Sequence, residues 1–81
     1  MVVSVNFLGL QRSLTRTDRV EVRLPGQGRV TDVLSHIREC FPDLPLVDDA
    51  FLVMVNDRVA TLDAELQHND TVSFLPHLGG G

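Results

Sequence analysis

Apolar and polar positions along the chain alternate, switch to helical spacing, and then alternate again. In Val2-Val3-Ser4-Val5-Asn6-Phe7-Leu8, the side chains of Val3, Val5 and Phe7 share one face. Ser4, Asn6 and Leu8 point the other way, which is the period-two pattern of a strand. Residues 9–18 are polar, with Ser and Thr throughout, and predict a long connection. Arg19-Val20-Glu21-Val22-Arg23-Leu24 alternates strictly, as a half-buried strand does, and Pro25-Gly26-Gln27-Gly28 closes it as a turn. Val30, Val33, Leu34, Ile37 and Phe41 then form a stripe on one side of a helix. Thr31 is the expected N-cap, Asp32 puts negative charge at the positive end of the helix dipole, and Pro42 and Pro45 stop the helix. After it come an apolar run from Phe51 to Val55, a turn at Asn56-Asp57 and a brief return through Val59-Ala60. Asn69-Asp70 turns into a last strand, Thr71 to Leu75, in which Val72 and Phe74 face the core while Leu75 shares the other face with Thr71 and Ser73.

The order β, β, α and then several β predicts an α+β fold, with a mixed sheet of four to five strands packed on one main helix. The pattern leaves the strand order open. No internal repeat or interdomain linker interrupts it, and 81 residues suffice for one domain near the lower size limit for an independent core.

Composition narrows the function. The chain is 43% hydrophobic and 22% charged, ordinary for a soluble domain. No apolar run approaches the roughly 20 residues of a membrane span, and the first ten residues lack a basic leader, so neither membrane insertion nor a signal peptide is expected. A single cysteine, Cys40, cannot form an internal disulfide and fits a reducing, cytoplasmic setting. Cys40 lies near the apolar stripe of the helix and is expected to pack as a small hydrophobe. His36 stands four residues before it, a spacing that can hold a metal, but no further ligands accompany the pair and no metal site is expected. With a net charge of -4 and four aromatics, all Phe, nucleic-acid binding is not expected either. All seven basic residues are arginine, so the chain has no lysine ε-amino group of its own to be acylated.

The chemistry concentrates at Pro76-His77-Leu78-Gly79-Gly80-Gly81. A C-terminal carboxylate, with a pKa of about 3.5, is an anion at neutral pH and a poor electrophile. Conversion to an acyl-adenylate by ATP would turn its oxygen into a leaving group that sulfur or an amine could displace. Glycine suits this role because a side-chain-free backbone passes through a narrow slot and leaves the carbonyl open to attack. Six extended residues reach about 20 Å, enough to enter a partner's active site, and Pro76 fixes φ where the tail leaves the last strand. The expected division is residues 1–75 as the folded domain and 76–81 as a flexible tail.

The stretch Asn69-Asp70-Thr71-Val72-Ser73-Phe74-Leu75-Pro76-His77-Leu78-Gly79-Gly80-Gly81 resembles the C-terminal signature of the ubiquitin-like sulfur carriers. It is most similar to the small subunit of molybdopterin synthase, a relative of the thiamin-pathway carrier, whose pattern runs Asp-Gly-Asp, a strand, then Phe-Pro-Pro-x-x-Gly-Gly. Gly80 and Gly81 fall on the terminal pair. The opening strand with Phe7-Leu8, the helix beginning at Thr31 and the turn Val55-Asn56-Asp57-Arg58-Val59 extend the likeness over nearly the whole chain. His77 replaces the second proline, Leu75 stands where an aromatic is frequent, and Asn69 replaces Asp or Gly. The Leu-Arg-Glu that commonly follows the first strand is Leu10-Gln11-Arg12-Ser13 here.

The resemblance implies a β-grasp fold and a non-catalytic, protein-borne cosubstrate with no bound cofactor. An E1-like enzyme would use ATP to adenylate Gly81, a sulfur donor would convert it to a thiocarboxylate, and residues 76–80 would thread the partner's site. The sulfur would pass to the large subunit of molybdopterin synthase, or to an enzyme of thiamin or amino-acid biosynthesis. A modifier joined through Gly81 to lysines of other proteins, and a passive β-grasp interaction domain, are the competing readings. Docking is expected at Leu8, Val59 and Leu75, on the outward face of the sheet. His68 reads as a solvated loop residue, His77 as a tail contact, and Asp43, Asp48 and Asp49 as solvated loop acids.

Overall fold

The computed structural model describes residues 1–46 and 51–76. The elements in chain order are β1 (Val2–Asn6), α1 (Leu10–Thr15), β2 (Arg19–Arg23), β3 (Gly28–Arg29), α2 (Val30–Cys40), β4 (Phe51–Val55), β5 (Arg58–Ala60), β6 (Glu65–Leu66) and β7 (Thr71–Pro76). Five strands form one mixed sheet in the order β2-β1-β7-β4-β5, and β3 pairs with β6 in a separate two-stranded ladder. The central pair, β1 and β7, is parallel, while every other neighbour in the sheet is antiparallel.

The alternation predicted for β1, β2 and β7 sets the core. Val3, Val5, Phe7, Val22, Val72 and Phe74 turn toward α2, whose Val30, Val33, Leu34 and Ile37 meet them. Burying such a side chain contributes about 1.5–3 kcal/mol, so this single layer between sheet and helix carries the fold. Two edge-to-face ring pairs close its end, Phe7 with Phe41 at 5.4 Å and Phe51 with Phe74 at 5.5 Å.

Four local expectations are corrected. Residues 9–18 are not all connection, because Leu10–Thr15 form a short helix. Gly9, at φ 54, makes the turn into it, in the left-handed region that costs other residues steric strain. Thr31 is not the cap of α2. Arg29 occupies the N-cap, its amide donates to Asp32 Oδ2 at 2.8 Å, and the amides of Val30 and Thr31 donate to the carbonyls of Ala64 and Leu62. The β3–β6 ladder brings those carbonyls over the helix start, so the first helical amides are paired by backbone and a Thr31 cap is not needed. Cys40 is exposed and not packed, since it stands one turn after exposed His36, 3.4 Å from its Nε2, while Phe41 packs against the core. The last strand runs one residue beyond Leu75, pairing Pro76 with Phe51.

Asn56 and Asp57 turn β4 into β5 with φ of 49° and 68°, the doubly left-handed turn that suits right-twisted hairpins. Asn56 also ties this turn to β7. Its Nδ2 donates to Asp70 Oδ1 at 2.8 Å, and its Oδ1 accepts from the Thr71 amide at 2.9 Å. Asn56→Ala is expected to destabilise the fold by about 2 kcal/mol, from lost hydrogen bonds and left-handed strain, and to lower the Tm by roughly 10 °C in a thermal melt.

Candidate functional site

Because the inner face of the sheet is filled by α2, anything that docks on the sheet meets its outer face. Leu75 on β7 is paired directly with Leu52 on β4, and Met54 on β4 is paired with Val59 on β5. Leu8 follows the end of β1, two residues past Asn6, whose partner is Ser73, so it stands level with Leu75. Leu8 and Val59 are 48% and 67% exposed, and Leu75 is half-buried. The three expected docking residues therefore belong to one face, and the strands set them in a row toward the end of β7 from which residue 77 continues.

The row contains two residues that the sequence reading missed. Leu52 and Met54, both half-buried, fill the gap between Leu75 and Val59. The signal was present in Phe51-Leu52-Val53-Met54-Val55, because an apolar run without alternation makes both faces of a strand apolar.

The other half of the face is polar. Arg19, Glu21 and Arg23 on β2 are exposed, and Arg19 donates to Ser4 Oγ at 2.8 Å, which covers the buried serine. Two open clefts flank α1 there. One of about 680 Å³ is lined by Gly9, Arg12, Ser13, Arg16, Thr17 and Asp18, and the other, of about 330 Å³, reaches Leu8. His36 Nε2 lies 3.4 Å from Cys40 Sγ at the exposed end of α2, and no group of three or more metal-ligating side chains forms among the described residues. His68 is exposed, as expected, and its Nδ1 accepts a hydrogen bond from the Val2 amide at 3.0 Å. No helix among the described residues is long and apolar enough to cross a membrane. His77, Leu78, Gly79, Gly80 and Gly81 lie outside the described residues, as do Asp48 and Asp49.

Residues 5–81 match the ThiS family. The chain belongs to that family of ubiquitin-like proteins of the sulfur-carrier type. Its fold is the β-grasp. Over 96% of this chain and 99% of the other, it superposes at a TM-score of 0.84 and 26% identity on a Pyrococcus furiosus protein provisionally named molybdopterin converting factor subunit 1. SAMP1 from Haloferax volcanii superposes over 100% of both chains, also at a TM-score of 0.84, with 20% identity. A chain from the complex of subunits 1 and 2 of molybdopterin-converting factor of Helicobacter pylori matches over 100% of both chains, at a TM-score of 0.70 and 21% identity. No match was found among curated proteins.

The Asn56–Asp70 network anchors the start of β7, and the apolar row lies toward its end.

Proposed function

We propose that this ThiS-family chain is a protein-borne cosubstrate whose working group is the carboxylate of Gly81. The observation that carries the reading is that the family match extends to residue 81 and so takes in the glycine-rich end. Pairing of Pro76 with Phe51 holds the preceding strand, so residues 77–81 would leave beside the apolar row of Leu8, Leu75, Leu52, Met54 and Val59.

In the proposed sequence, a carboxylate oxygen of Gly81 attacks the α-phosphorus of ATP in the site of an E1-like partner, and pyrophosphate leaves. A hydrosulfide-level nucleophile from a sulfur donor then attacks the acyl carbon, and AMP leaves with the oxygen. The terminus has exchanged one oxygen for one sulfur without net oxidation or reduction. A second partner takes that sulfur, and molybdopterin formation is the preferred destination. The chain contributes the acyl group, its reach and the docking face. ATP and the catalytic groups belong to the partners.

The test is incubation with the cognate adenylating enzyme, ATP and sulfide, followed by intact mass measurement. The expected product is the chain with one oxygen replaced by sulfur. An unchanged mass, with the enzyme active on another carrier, overturns the reading, and isopeptide-linked products in place of the thiocarboxylate would assign a modifier instead.

A further inference from the structure

The ladder between β1 and β7 does not stop where β1 stops. The Ser4 amide donates to the Asp70 carbonyl at 2.9 Å, and the register advances as Ser4↔Thr71, Val5↔Val72 and Asn6↔Ser73. Donors on one edge of a parallel strand recur every second residue. Continuing that step would bring the Leu8 amide to the Phe74 carbonyl. Instead, the Leu8 amide lies 3.4 Å from Gln11 Oε1, and Gln11 Nε2 donates to the Phe74 carbonyl. One carboxamide is inserted into the rung, accepting from one strand and donating to the other as a peptide group would.

This side chain is built in. Gln11 is 8% exposed, the sole buried residue of α1, and with Ser4 one of two buried polar residues among the described residues. The short helix that presents it is closed by Arg16 in the left-handed region and by Thr15 Oγ1, which donates to the Gln11 carbonyl at 2.8 Å. The insertion has two consequences. It holds the chain after β1 one amide group away from β7, where Leu8 stays exposed and level with Leu75. It also satisfies a buried carbonyl on β7 two residues before Pro76, at a point where β1 no longer supplies a donor.

We propose that Gln11 is a positioning residue that sets the direction in which the chain leaves β7 and the separation of Leu8 from Leu75. Its consequence for activity rests on the reading that Gly81 reacts in a partner's site. The two halves of the carboxamide can be tested apart. Gln11→Glu keeps the acceptor for Leu8 and loses the donor to Phe74, Gln11→Leu loses both, and Gln11→Arg restores a donor to Phe74. All are compared at a temperature at which circular dichroism shows each to be folded.

For adenylation of Gly81 by the cognate enzyme, kcat/KM is expected to fall roughly tenfold in Q11L and Q11E, mostly through KM, and to recover in Q11R. Equal values per folded molecule in all four proteins overturn the proposal. A readout without any enzyme separates it from the functional reading. With a nitroxide on Cys40, the relaxation enhancement at the Gly79, Gly80 and Gly81 amides should change in Q11L and Q11E and return to the wild-type profile in Q11R. Identical profiles in all four sink the positioning role. Shifted profiles with no adenylation of the wild type support it and sink the functional reading.

Discussion

Deletion of Gly81 is expected to abolish sulfur transfer while leaving the melting temperature unchanged. The two halves of this result have separate causes. Removing the last residue moves the carboxylate back by one peptide unit, about 3.5 Å, and a reacting atom displaced that far leaves attack distance of any site built for the full tail. No compensating group exists, because a carboxylate on Gly80 has the same reactivity but the wrong place. Stability should hold within about 0.5 kcal/mol, because a terminal glycine has no side chain to bury. Among the described residues the ladder to β4 reaches Pro76, and the buried core runs from Val3 to Phe74. Differential scanning calorimetry of both proteins, beside the mass assay for thiocarboxylate, checks the two halves independently. A fall of several degrees in Tm would make the glycines part of the fold, and retained transfer would move the reacting group elsewhere.

The same division explains what the sequence made legible. The strands β1, β2 and β7 and the helix α2 are written in local periodicity, because each must turn one face to a single core, whereas β4 shows only as an apolar run. What failed was tertiary in origin. The helix α1 has six residues, too few for propensity to stabilise, and it is anchored through Gln11 to a carbonyl 63 residues away. The pairs Gly28↔Leu66 and Arg29↔Glu65 are too short to show a period, yet they displace the expected Thr31 cap by bringing backbone carbonyls to α2. Cys40 lies beside the stripe of α2 on the side of exposed His36, and nearness to a stripe does not place a side chain on the core. On the outer face of the sheet, Leu8, Leu75 and Val59 followed from parity and resemblance. Leu52 and Met54 did not, because a fully apolar strand conceals its second face inside what reads as core.

That second face carries the other large expectation. Val59→Glu should weaken association with the adenylating enzyme by roughly a hundredfold, about 2.7 kcal/mol, because it sets a carboxylate in the apolar row where desolvation is most costly. Val59 suits the test better than its neighbours. It lies on the edge strand β5, is 67% exposed, and packs across from Met54 instead of under α2, so its replacement should cost the fold less than about 1 kcal/mol. A change of net charge alone could alter association through long-range steering, and this must be separated from docking. Ser35→Glu supplies the comparison, since it adds the same charge at an exposed position on α2, on the opposite side of the sheet. Titration calorimetry should find binding weakened by V59E and little altered by S35E, with the gap between the two preserved at high salt. If both variants weaken binding alike and salt erases the effect, the outer face contributes only charge, and Leu75, Leu52, Met54 and Val59 are not where the partner sits.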